Sequence, residues 1–386
     1  MATSNFLAST DDLDSANFWK LEHANQAYWD TYLSTRPAYQ ASNFYTLMYD
    51  YHASHSLSPT PSFAVAHDIG TGPGQVAAQL ASRFAHVVAS DNNETSLDEA
   101  RRRLSATSAT GRASFALFTG EAIASHYSAQ SADFIAAAEC FPLMNAKVAL
   151  ASFATLLKPG GTLAIWFYGR PHFAEGEYAT MCQPLLDAIM DHNFGMVIKG
   201  SGPDRKAGWK RAADGMASWL DYIPFPSEMW KDVQRWKWNP QFSLSFFGPE
   251  ACDFEIEPVS CEEKQDKMIE KKNSGFWKNR WDAERLRRFV SASFSSTAKK
   301  VQSEEYALVE RLYEKLTKAM RGNGAVRDFT WPAVLILAAR ANSWSLRKRW
   351  RLGRMDTALP NVQWAVYLGI TFQWKYQTKF TRWHLK

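Results

Sequence analysis

Residues Ala64–Phe84 read AVAHDIGTGPGQVAAQLASRF: a short apolar run, glycines at the alternate positions Gly70, Gly72 and Gly74, then an alanine-rich stretch at helical spacing. An apolar run stopped by glycine predicts a buried parallel strand, and the alanine-rich stretch predicts the helix that follows it. The same rhythm continues downstream. HVVASD (residues 86–91) predicts a second strand and ETSLDEARRRL a helix; ASFALFTGEAI, ADFIAAAEC and GGTLAIWFYG predict three more strands. The helix AKVALASFATLLK precedes the last of these. Strands alternating with helices predict an α/β fold, a doubly wound parallel sheet.

Outside that block the pattern changes. The first 60 residues are aromatic and helix-like and end in SLSPTPS, a Ser/Pro punctuation. Residues 61–170 form the predicted core, and 171–281, rich in Trp, Pro and charge, are expected to form a cap inserted after the fifth strand. Residues 282–340 return to helix and then to the apolar strand FTWPAVLILAAR, and 341–386 form a basic, aromatic extension.

The chain has 386 residues, 46% of them hydrophobic, so it can bury a sizeable core. Its acidic N-terminus has no basic and apolar leader pattern, so no signal peptide is expected. The longest apolar run near the end, Val362–Trp374, is 13 residues. A membrane span needs roughly 20, so no span is expected. Cys140, Cys182, Cys252 and Cys261 show no pairing motif, which suits reduced thiols and a cytoplasmic location. The nine histidines are scattered, and no metal site is expected.

The net charge of +5 is concentrated late: from Asn342 onward nine Lys or Arg face one acid, Asp356. Such a tail suits nucleic acid, an anionic membrane or a solvated face; without a nucleic-acid motif the solvated face is preferred. Trp344, Trp350, Trp364 and Trp374 supply more aromatic surface than a free tail exposes, so packing on the body or in a homodimer is expected.

The glycine loop narrows the ligand. A dinucleotide fingerprint requires glycine one position after Gly74, where Gln75 stands. The pattern present is D-x-G-x-G-x-G, led by Asp68. With YLSTRPAYQASNFYTLMYDYH (32–52), HDIGTGPG, VVASDNN, ECF and LKPGGTLAIWFY in order, the chain resembles the class I S-adenosylmethionine-dependent methyltransferases. Within them it looks like the trans-aconitate methyltransferase type, which esterifies small carboxylic acids. The resemblance covers about Tyr28 to Arg170 well and thins beyond.

That resemblance implies a Rossmann-like fold, S-adenosyl-L-methionine as cofactor, and a set of contacts. Asp68, Gly70, Gly72 and Gly74 would meet the methionine end, and Asp91 with Asn92 the ribose hydroxyls. Glu121 and Ala122 would meet adenine, and Glu139 and Cys140 would line the pocket near the transferring methyl. Taken singly, Asp68 and Asp91 read equally well as helix-capping acids. One departure matters. Where relatives carry His-Trp, this chain has Phe141-Pro142-Leu143-Met144, which implies an acceptor of different shape and lower polarity.

A carboxylate acceptor is ionised at neutral pH and needs donors, not a base. Tyr32 and Arg36 in the N-terminal segment, and Arg170 after the fifth strand, are the candidates. A phenol needs a base, and His172 is the candidate. The run PDRKAGWKR (203–211) reads chiefly as solvated charge. The leading expectation is therefore methyl-ester formation on a small acid. A larger phenol or polyketide acceptor, or cofactor binding without methyl transfer, remain open.

Overall fold

A computed structural model describes residues 26–37, 39, 43–106, 111–261, 266–293 and 304–342. The expected extension beyond Asn342, with its dimer contact, lies outside the described residues. Two helices come first, α1 (Gln26–Thr35) and α2 (Phe44–His55). Then follow β1 (Val65–Ile69), α3 (Gln75–Leu80), β2 (His86–Asp91), α4 (Glu94–Ser105), β3 (Ala113–Leu117) and the short α5 (Ile123–His126). β4 (Ala132–Ala138), α6 (Ala146–Leu156) and β5 (Leu157–Tyr168) complete the predicted alternation.

The main sheet has eight strands in the order β3-β2-β1-β4-β5-β11-β7-β8, where β11 is Ala333–Arg340, β7 is Trp230–Trp238 and β8 is Lys267–Lys271. β1 to β5 are parallel; β11 runs antiparallel between β5 and β7. β1 and β4 are wholly or almost wholly buried, as a strand covered by helices on both faces must be. The chain reverses its direction of winding between β1 and β4. The carboxyl ends of these strands therefore open a crevice, where doubly wound sheets bind ligands. This is a Rossmann-like sheet of the expected kind.

The segment 171–281 is not a cap alone. Its first part is helical, α7 (Gly176–Lys199) and α8 (Pro203–Ala217), but β7 and β8 extend the main sheet. WKDVQRWKW hides this strand because five of its nine residues are charged or amide. The basic side chains on its inner face, Arg235 and Lys237, are neutralised by Asp221 and Asp266. The late apolar strand also divides. Pro332 has no N–H to donate, and there the chain passes from β10 (Arg327–Thr330) to β11. β10 pairs with β6 (His172–Phe173) and β9 (Asn279–Trp281) in a separate three-stranded sheet. Two helices, α9 (Ala283–Ala292) and α10 (Glu304–Ala319), lie between β9 and β10 in sequence.

α2 is fixed on the sheet by His52, whose Nδ1 lies 3.0 Å from Thr162 Oγ1, and by Tyr51, which donates to Asp232 O at 2.8 Å. α1 is tied to the end of α9, where the Tyr28 hydroxyl donates to Ala292 O at 3.2 Å. α2 thus lies against the sheet, and α1 against the end of α9. No helix among the described residues is long and apolar enough to cross a membrane.

Candidate active site

The glycine loop turns because its residues take positive φ, +65° at Gly70, +54° at Gly72 and +83° at Gly74. Thr71 closes the turn. Its N–H donates to Ser90 O at 2.8 Å and its hydroxyl to Asp68 Oδ2 at 2.6 Å. Asp91, ending β2, is held on both carboxylate oxygens. Gly72 N–H donates to Oδ2 and Asn93 N–H to Oδ1, each at 2.9 Å. Asn92 N–H adds a further backbone bond. An ionised carboxylate only accepts hydrogen bonds, which suits the two hydroxyls of a vicinal diol. Burial pushes the Asp91 carboxyl up to about 6, against the backbone N–H bonds that hold it down.

A cavity of about 550 Å³ opens at the crevice. Gly70, Gly72, Asp91, Asn92, Glu121, Glu139 and Cys140 line it, together with Tyr32 and Arg36. Glu121 also accepts the Asn145 N–H at 2.8 Å, pinning the loop after β4 to the end of β3. From that loop Pro142, Leu143 and Met144 supply apolar lining, while Phe141 is buried beneath. Cys140 donates its thiol to Ile69 O at 3.1 Å, and burial pushes the thiol up. Arg36 stacks on the rings of Tyr32 and Phe289, with centroid distances of 4.3 and 5.0 Å, and donates to Ser293 Oγ.

Several expected residues lie elsewhere. Gly74 does not line the cavity; a Cβ there would meet Leu104 and Ala100 of α4, so its work is helix packing. Ala122 sits in the turn after β3 and is also outside the lining. Asp68 lies just beneath the loop, fully buried, with Oδ1 lacking a hydrogen-bond partner. Arg170 and His172 are corrections to the reading of the sequence. Arg170 is buried against Asp187 at 3.1 Å and Asp191 at 3.6 Å, away from the cavity. His172 stacks on Phe242 at 4.3 Å within the small sheet. It does not line the cavity, and burial and the neighbouring Arg170 push it down to about 3, which makes it a weak base.

The run 203–211 divides by helical phase. Lys206 pairs with Asp253 at 2.5 Å and Lys210 with Glu257 at 2.8 Å, on the outer side. Arg205, Gly208, Trp209, Ala212 and Met216 face the cavity, at helix-face spacing. Trp209 packs on Phe194 of α7 and on Phe247, with centroids 6.0 and 5.9 Å apart. That spacing was present in the sequence; the partners that make the face an aromatic wall were not.

Asp68 bears on stability. Burial pushes its carboxyl up to about 7. The folded chain therefore holds this proton more tightly than the unfolded one, whose carboxyl titrates near ~4. Stability from this group is full below that value and is lost as pH rises toward 7. Asp68→Asn keeps an acceptor for Thr71 and is predicted to flatten the dependence of unfolding free energy on pH across this range. Urea titrations at several pH values check it; an unchanged slope would assign the effect to another group.

The residues fit a sulfonium nucleoside. A carboxylate suited to a diol and a loop that turns glycines toward the cavity meet at one crevice, with the orphaned oxygen of Asp68 just beneath. Among the described residues no three His, Cys, Asp or Glu side chains converge to hold a metal ion. Residues 66–161 match the family described as methyltransferase domain. The chain is 46% identical over 328 residues to the methyltransferase pgmE of Aspergillus terreus, covering 85% of this chain and 97% of that one. It is 37% identical over 345 residues to the methyltransferase cfoB of Aspergillus candidus, covering 88% and 100% of the two chains. Among solved structures, a phosphoethanolamine N-methyltransferase from Haemonchus contortus in complex with S-adenosyl-L-methionine is 12% identical, with a TM-score of 0.38, and covers 85% of this chain and 60% of that one.

Fold and site together define a Rossmann-like methyltransferase of class I. The chain belongs to the S-adenosylmethionine-dependent methyltransferases, and S-adenosylmethionine is its cofactor.

Proposed function

We propose that this enzyme transfers methyl to an oxygen of a sizeable aromatic acceptor, a phenol or aromatic polyketide. The observation that supports this reading is the wall of the cavity beyond Glu139, where Trp209, Phe194, Phe167, Tyr168, Phe246 and Phe247 meet. Bound at the glycine loop, the cofactor supplies an activated methyl on sulfonium sulfur. The chain's part is to align an acceptor oxygen with that methyl and exclude water. Aromatic walls favour a flat apolar body by about 25 cal/mol per Å² removed from water.

A small di- or tricarboxylate fares worse there. It would lose its hydration at a cost of several kcal/mol unless charged donors replaced the water. With Arg170 committed to Asp187 and Asp191, Arg36 is the remaining member of the expected donor pair, and it already stacks between two rings. Arg36, with Arg205 and Arg211 on the cavity wall, is what favours the small-acid reading; the extent of aromatic surface keeps that reading second.

The test is methyl-labelled cofactor with a panel of hydroxylated naphthalenes and anthraquinones beside citrate- and aconitate-type acids. Label in an aryl methyl ether is expected, with Trp209→Ala raising KM for that acceptor at least about tenfold and leaving cofactor affinity unchanged. Label confined to esters of the small acids would overturn the proposal.

A further inference from the structure

The removal of His172 from the site leaves a phenol's proton without a taker, and the cavity contains one carboxylate placed to accept it. We infer that Glu139 is the general base that deprotonates the acceptor hydroxyl during methyl transfer. The inference rests on the reading of the acceptor as a phenol.

Glu139 follows β4 directly, between the cofactor loop and the aromatic wall, and it keeps partial exposure to the cavity. Its backbone sits at φ +59°, a left-handed conformation that is strained for a non-glycine residue and has to be held by its surroundings. Two bonds hold it: its N–H donates to Trp166 O at 2.9 Å, and its Oε1 accepts the Tyr168 N–H at 2.7 Å. Both come from β5, so the carboxylate is aimed by the sheet. Among the described residues no hydrogen bond is donated to Oε2. Of the other carboxylates on the cavity, Asp91 has both oxygens engaged by backbone N–H groups and Glu121 is bound to Asn145, while Asp204 is exposed at the rim.

The groups facing Glu139 are Arg36 and Tyr32 from the α1 segment, Tyr39 beyond it, Tyr168 on β5 and its chain neighbour Cys140. Burial raises its carboxyl well above the usual range, against the Tyr168 N–H and the Arg36 charge. A base whose proton affinity is brought toward that of a phenol transfers protons efficiently. In the step itself the acceptor O–H proton passes to Oε2 and the oxygen lone pair forms the bond to the methyl carbon. The carbon–sulfur bond breaks with its electron pair left on sulfur. The products are an aryl methyl ether, a neutral thioether and a protonated Glu139, which then loses its proton to solvent.

Glu139→Gln preserves the Oε1 acceptor for Tyr168 and is the test, with Glu139→Asp as a second variant. Kinetics use a naphthol found to be turned over by the wild type and, beside it, a nitro-substituted phenol already ionised at neutral pH; calorimetry measures affinity for the demethylated cofactor. Glu139→Gln is expected to lower kcat for the naphthol about a hundredfold or more, and to abolish the rise of rate with pH. Cofactor affinity should stay unchanged, and the loss on the ionised phenol should shrink below about tenfold. Glu139→Asp should retain the pH-dependent limb. Unchanged kcat in Glu139→Gln, or a loss confined to cofactor affinity, would overturn the assignment and make Glu139 a cofactor contact. Failure of the wild type to methylate any phenol overturns the acceptor reading itself, and the base with it.

Discussion

Gly70→Val is expected to abolish measurable cofactor binding, a loss of at least about 3 kcal/mol or more than a hundredfold in affinity. A Cβ at this position falls 2.8 Å from both the Cβ and the Sγ of Cys140. Cys140 cannot retreat cheaply, since its thiol is bonded to Ile69 O and its backbone continues β4. The residue also sits at φ +65°, which a β-branched side chain adopts with most strain. Either β1 or β4 must move, and their separation is what shapes the crevice. Gly74→Val is the control. It meets Leu104 and Ala100 away from the cavity, so it should lower melting temperature while the remaining folded protein binds cofactor. Calorimetry with the cofactor on both variants decides this; near-normal affinity in folded Gly70→Val would show that the loop tolerates a side chain.

The largest stability effect is expected at Arg235→Met, about 3–5 kcal/mol. Arg235 is 0% exposed on β7; it donates from Nε to Asp266 Oδ2 at 2.8 Å and from Nη2 to Ile223 O at 2.9 Å. Removing it leaves Asp266, whose side chain is only 2% exposed, as an uncompensated buried charge. Replacing both partners with apolar residues removes the charge as well, so Arg235→Met with Asp266→Leu should recover most of the loss. Cofactor affinity should be untouched in either, because Arg235 does not line the cavity. Equal destabilisation in the single and double variants, by urea titration, would contradict the account.

The parallel half of the sheet was legible because most of its strands obey one rule. Strands covered on both faces are largely apolar, as β1, β2, β4 and β5 are, and a glycine or an acid stands at or just after the ligand-edge end of each. Gly70, Asp91 and Glu139 were readable for the same reason, since they sit at strand ends that topology alone brings together. β7 was not legible, because five of its nine residues are charged or amide and their burial depends on Asp221 and Asp266 from distant segments. His172 and Arg170 misled for the converse reason: position after β5 says how near a residue lies along the chain, not which way the next turn carries its side chain.

The sequence by itself determined the parallel half of the sheet, the glycine loop and the aspartate that ends β2, all local patterns of hydrophobicity and turn chemistry that need no distant partner. The tertiary structure alone decided the aromatic wall of the cavity. Whether Trp209 faces solvent or the cavity depends on how α8 packs against Phe194 and Phe247, and no spacing within the helix specifies its neighbours.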